Sequence, residues 1–400
     1  MTGLTFEPAE PVSGSNDPAA VAGLDPLAPV ALRLEEPPKG REGSVEDRLP
    51  PIRRSWPPTR TVVLATGEAA STAAIATARA AGARVALTSG ETDPRRSDDA
   101  LDVLAGSEPG AVVALGTGFA AEPGLDWKVA TAATGVQLPG GGQVLFPGRL
   151  LVALYGRPGS AALGVLGEQD LAASVDRARA HAAPFTALVE DPVVPAFEII
   201  ATVASSAPGA DGDYSAEADA DELRPWVEAA GEAGLYVLLD LQPGRTDFLT
   251  QAQRYRSLLE LPHVGLALDP EWRLGPDQVH LAQIGSVDIE EVNGVVTWLA
   301  DLTRSHALPQ KLLALHQFQL GAIVGRERLD TSRDELAVMI HADGLGTQGD
   351  KQATWRALHE NAPGGLFWGW KNFYDEDAPM LTAEQTIAQV SPRPALVTYQ

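Results

Sequence analysis

From residue 149 to the C-terminus, short apolar runs recur between stretches whose apolar positions return every three or four residues. The runs are LLVALYG (150 to 156), FEIIATVA (197 to 204), LYVLLDLQ (235 to 242), HVGLALDP (263 to 270), KLLALHQF (311 to 318), LAVMIHAD (336 to 343), LFWGWKNF (366 to 373) and PALVTYQ (394 to 400). Each has the length and composition of a strand. Between them lie helical patterns, among them DLAASVDRARAHAA, ADELRPWVEAAGEAG, DFLTQAQRYRSLLEL, IEEVNGVVTWLADLTRSH, DKQATWRALHENA and TAEQTIAQV. Acids stand near the starts of the first, second and fourth, and Gly234 follows the second as a C-cap would. Eight strands with intervening helices over about 250 positions predict a (β/α)8 barrel. An open doubly wound sheet is the alternative; strands at both ends favour closure.

Residues 59 to 148 carry a weaker version of the same alternation. TVVLATG (61 to 67) is a short strand closed by Gly, AASTAAIATARAAGA an Ala-rich helix, and RVALTSG and AVVALGTG repeat the strand-then-Gly theme. Together they predict a small parallel α/β domain. This segment resembles the cell wall-binding repeat 2 family, whose units carry a VVLATG-like strand, an Ala-rich helix and a second LLT-like strand. The resemblance covers under a quarter of the chain and a single unit, where the family normally repeats. It implies attachment to an envelope polymer. GTGFAA, with Gly116, Gly118 and Ala121, matches a dinucleotide fingerprint in letters, but Glu122-Pro123-Gly124 follows where a helix should open, so a tight turn is expected. Residues 1 to 58 are crowded with Pro, Glu, Ser and Gly without periodicity, and are expected to form a flexible tail or strap. Such a tail suits a spacer between a surface anchor and the folded part, so an extracellular or surface-held lipoprotein is expected; a plain terminus without a role is the alternative.

A net charge of -23 argues against nucleic acid and anionic lipid as partners, because both are bound through Lys and Arg. With no cysteine, disulfides, thiolate metal sites and Cys nucleophiles are excluded. No apolar stretch approaches the roughly 18 residues of a membrane span, so no transmembrane segment is expected and the chain reads as soluble. The first thirty residues lack the blocks of an export signal. No Gly-x-Ser-x-Gly elbow and no phosphate-cradling Lys loop occurs.

In a (β/α)8 barrel the chemistry sits at the C-terminal ends of the strands. Those ends offer Tyr155 on the first, Asp240 and Gln242 on the third, and Asp269, Glu271 and Trp272 on the fourth. Farther round come His316 and Gln317, then His341 and Asp343, then Trp370, Lys371 and Asn372. Glu198 lies among apolar residues of the second strand and must either face the lumen with a partner, Lys371 being the expected one, or lie on the rim. Paired carboxylates with amides and aromatic faces suit polyhydroxylated ligands and glycosidic bond cleavage. The region therefore resembles a barrel-type glycoside hydrolase domain, and a carbohydrate polymer is the expected partner. Retaining barrels that use acids on the fourth and seventh strands fit poorly, since WGWKN has no acid before Asp375. Asp269 and Asp343 instead match α-galactosidase-like barrels, with acids on the fourth and sixth. The resemblance implies Asp269 as nucleophile or base and Asp343 as proton donor, with Glu271 able to substitute and Asp240 a further catalytic candidate. Tyr155, Glu198, Gln242, Trp272, His316, Gln317, His341, Trp370, Lys371 and Asn372 are expected to contact substrate, without a cofactor. Two rivals remain open. One is a metal-dependent hydrolase using His316, His341, Asp343, Asp240 and Asp269, although no His-x-His or His-Glu-x-x-His motif supports it. The other is a non-catalytic carbohydrate-binding protein.

Overall fold

The computed structural model describes residues 60–400, in two compact units that divide after Gly135. The tail expected over 1 to 58 lies outside the described residues.

In the first unit, β1 (Thr61–Ala65), α1 (Thr72–Ala80), β2 (Arg84–Leu87), α2 (Asp98–Ala105), β3 (Ala111–Leu115) and α3 (Leu125–Ala132) follow in order. The parallel sheet runs β2-β1-β3. Alternate residues of β1 serve opposite faces: Val62 and Leu64 pack with Leu101, Leu104 and Val129, whereas Val63 and Ala65 pack with Ile75 of α1. Ser97 caps α2 by accepting from Ala100 N at 3.3 Å, with Asp98 and Asp99 in its first turn. The GTGFAA stretch is a short 3-10 turn over Thr117–Ala121.

The second unit is a closed parallel barrel. Its strands are β4 (Leu150–Gly156), β5 (Val193–Ala204), β7 (Tyr236–Leu241), β8 (Val264–Leu268), β10 (Lys311–Gln317), β12 (Leu336–Ala342), β13 (Phe367–Asn372) and β14 (Leu396–Tyr399). They neighbour one another in that order, and β14 returns to β4 to close the ring. A short β6 (Ser215–Glu217) adds antiparallel to the end of β5, and β9 (Val287–Asp288) pairs with β11 (Ile323–Val324) outside the ring. The connecting helices are α4 (Leu171–Ala182), α5 (Ala220–Glu232), α6 (Phe248–Arg254), α7 (Arg256–Leu259), α8 (Ile289–Ser305), α9 (Gln348–His359) and α10 (Ala383–Gln389). No helix among the described residues is long and apolar enough to cross a membrane.

Strand alternation divides the core in two. Outward residues such as Leu154, Phe197, Leu239, Leu266, Leu315 and Ile340 pack beneath the helices against Val227, Phe248, Leu299 and Trp355. Inward residues of the lower barrel, including Leu151, Ala196, Leu238, Ala267, Ala314 and Met339, fill the lumen. Leu138, Leu145 and Phe146 join that inner cluster, so the segment from Val136 belongs to the barrel and the units divide earlier than the boundary expected at 148/149. The N-terminal end of the barrel is thus closed by apolar side chains that come from before the first strand. Gln310 fixes this plug by accepting from Leu145 N at 2.9 Å.

Candidate active site

Above the apolar layers the inner face turns polar, and each of the eight strands or the residue just after it contributes. Alternation places Tyr155 above Ala153, Glu198 above Ala196, Asp240 above Leu238, Asp269 above Ala267, His316 above Ala314, His341 above Met339, Lys371 above Gly369 and Thr398 above Leu396. All eight are buried. Gly369 makes the layer possible on one side: a Cβ there would stand 2.8 Å from Cδ2 of His341 and 3.0 Å from Sδ of Met339.

His316 is the hub. Its Nε2 meets Oε1 of Glu198 at 2.8 Å and its Nδ1 meets Oδ2 of Asp343 at 3.1 Å. Nδ1 of His341 lies 3.3 Å from Nε2 of His316 and 3.6 Å from Oε1 of Glu198, while its Nε2 meets Oγ1 of Thr398 at 3.0 Å. Tyr155 donates to Oδ2 of Asp240 at 2.9 Å and receives Nε2 of Gln242 at 3.3 Å. The Lys371 ammonium sits over the Tyr155 ring, 3.6 Å from its centre. Around this layer four buried carboxylate oxygens have no hydrogen-bond partner: Oε2 of Glu198 and Oδ1 of Asp240, Asp269 and Asp343. Leaving so many acceptors unmet is costly unless something else occupies the space between them.

The shared burial drives these groups apart electrostatically. Burial holds Asp269 well above the carboxylate range, reinforced by Glu271, Asp240 and Asp343 against the opposing charge of His316. Burial and Asp343 push Glu271 up to about 7, and burial pushes Asp240 up to about 6. For Asp343 burial acts upward too, but the hydrogen bond and charge of His316 and the charge of Lys371 outweigh it and lower the carboxyl. Burial would likewise raise Glu198, and the two histidines bring it down. His316 is raised well above the imidazole range because Glu198 and Asp343 overcome its burial, whereas burial keeps His341 low.

One expected partnership is rearranged. Glu198 pairs with the two histidines, and Lys371 faces Tyr155 instead. Arg273 pairs with Glu291 at 2.9 Å, leaving Asp269 and Glu271 to the mouth. Trp272 is partly exposed beside them and stacks on His280 with ring centres 5.0 Å apart and planes 12° apart. Three residues expected to contact substrate face away from the lumen, because neighbours along a strand alternate. Gln317 accepts from Nη1 of Arg326 at 3.0 Å; Trp370 packs against Trp355 under α9; Asn372 accepts from Nε1 of Trp370 at 2.9 Å. Thr398 is the inner-layer residue that sequence reasoning passed over; its position two after Leu396 on the last strand was the available signal.

No protein-family model matches this chain, and no curated protein matches it.

Proposed function

We propose that the barrel mouth hydrolyses glycosidic bonds of a carbohydrate polymer, with Asp343 as nucleophile and Asp269 as acid and base. The observation that carries this reading is the closeness of the pair: one oxygen of Asp269 and one of Asp343 lie within 4.8 Å of each other. With their nearest oxygens no more than 4.8 Å apart, the two carboxyls stand nearer the roughly 5 to 5.5 Å of retaining pairs than the roughly 6.5 to 9.5 Å of inverting ones. The division of roles follows the hydrogen bonds and is the reverse of that expected from strand position alone. Asp343 has one oxygen held by Nδ1 of His316, which favours the anion, and its Oδ1 is free to attack. Asp269 is buried, and its Oδ1 meets no donor, an environment that favours the protonated acid.

In the first step Oδ1 of Asp343 bonds to the anomeric carbon as the glycosidic C–O bond breaks, and the Asp269 proton goes to the leaving oxygen. Water then attacks the anomeric carbon, Asp269 takes its proton, and the bond to Asp343 breaks. Glu271 and the ring of Trp272 offer a hydroxyl acceptor and a stacking face at the rim. The first unit fits a role in holding the protein to an envelope polymer, in an extracellular or surface-held setting.

The test is turnover by the full chain on a panel of aryl glycosides and soluble and insoluble wall polysaccharides. Asp269→Asn and Asp343→Asn are each expected to lower turnover by about 10²- to 10⁴-fold while the circular dichroism spectrum is unchanged. NMR should detect the retained anomer first. Silence of the wild type across the panel, wild-type rates in both variants, or inversion would overturn the proposal.

A further inference from the structure

Below the acids of the mouth, three buried ligand atoms converge from neighbouring parts of the ring. Oε1 of Glu198, Nε2 of His316 and Nδ1 of His341 are separated by 2.8, 3.3 and 3.6 Å. Ligand atoms about 2.0 to 2.1 Å from a tetrahedral ion lie about 3.3 Å from one another. The first two separations are within hydrogen-bond reach and the third lies just beyond it. Two imidazole nitrogens turned toward each other and toward the same carboxylate oxygen form an electron-rich pocket.

Two independent features point to an occupant. Oε2 of Glu198 and Oδ1 of Asp240 are fully buried without a hydrogen-bond partner, and the Asp240 oxygen lies 3.9 Å from Nε2 of His316. His316, His341 and Asp240 are also braced from behind. His316 is held through Nδ1 by Asp343, His341 through Nε2 by Thr398, and Asp240 through Oδ2 by the Tyr155 hydroxyl at 2.9 Å. A carboxylate on the far nitrogen of a histidine is the usual outer support of a metal-binding imidazole.

We propose that Glu198, His316 and His341 bind one divalent first-row transition metal ion, with the unpaired Asp240 oxygen beside them. Nitrogen and carboxylate ligands without sulfur suit Zn²⁺ and its neighbours over Ca²⁺ or Mg²⁺, which prefer oxygen alone. The ion displaces whatever proton sits on Nε2 of His316, so binding releases protons. The proposal shares Asp343 with the sugar-cleaving reading, there as nucleophile and here as the outer support of His316, but Asp269 is not among the ligands, so the two readings can fail separately.

The experiment is calorimetric titration of the chelator-stripped full chain with Zn²⁺, repeated with Co²⁺ while its visible absorption is followed. One ion per chain is expected, with a rise in Tm. His341→Ala and Glu198→Gln should each weaken binding at least 100-fold, and Asp343→Asn by about 10- to 100-fold through loss of the outer support. Asp269→Asn should bind as wild type does, even where it abolishes turnover. Asp211→Asn, in the separate acidic group of Asp211, Asp213 and Glu217, should also leave binding intact. Absence of stoichiometric binding by the wild type would overturn the site, as would wild-type affinity in His341→Ala or loss of the ion in Asp269→Asn. Should His341→Ala fail to fold, Glu198→Gln decides: an undiminished Zn²⁺-dependent rise in its Tm would count against the assignment.

Discussion

Lys311 at the start of β10 shows how a single buried charge is tolerated. Its ammonium donates to the carbonyls of Leu261 and Val264 at 2.8 Å each, and burial draws its pKa down from 10.5 to about 7. Above about pH 7 the native chain gives up this proton while the unfolded chain keeps it up to about 10.5. Over that window the unfolded state binds more protons, so this residue makes stability rise with pH; below it both states are protonated and the contribution is flat. Lys311→Met should therefore remove part of the upward slope. Thermal melts of wild type and variant at closely spaced pH values check this, and parallel Tm profiles would contradict it. The residue lies at the opposite end of β10 from His316, so the effect is separable from the site.

At the scale of elements, alternation decides which chemistry reaches the lumen. On β13, Gly369 and Lys371 face inward while Trp368 and Trp370 face the Trp355 ring of α9, with ring centres 5.8 and 5.6 Å away. Gly369→Ala would drive a methyl group against His341 and Met339. A loss of about 1 to 3 kcal/mol is expected, the usual cost of overpacking. The shift should also move His341, visible as altered imidazole NMR resonances; unchanged stability and resonances would show that the close contact is not real. The eight strands were legible because each is a continuous apolar run ended by polar residues. Which polar residue of each end looks inward was not, since Gln317, Trp370 and Asn372 resemble site residues by type and differ only by one step of register. Glu198 was recognisable as needing a partner, yet its partners lie 118 and 143 positions away and nothing local announces them.

At the scale of the whole second unit, closure does two things at once. It plugs the lower end with Leu138, Leu145 and Phe146, and it gathers acids and histidines from five neighbouring strands, β5, β7, β8, β10 and β12, at the upper end. Phe146 is fully buried and lies 5.1 Å from the ring of Phe367, so Phe146→Ala should cost about 3 to 5 kcal/mol. Denaturant unfolding checks this; a loss below about 1 kcal/mol would mean the plug contributes little to the core. The sequence by itself determined the class of fold, the succession of strands and helices, and the set of polar residues available at strand ends. Those follow from local periodicity, which each segment carries alone. Only the tertiary structure decided that His316 joins Glu198 to Asp343, that Thr398 braces His341, and that the barrel begins before its first strand. Such pairings are set by the stagger and closure of the ring, which no single segment encodes.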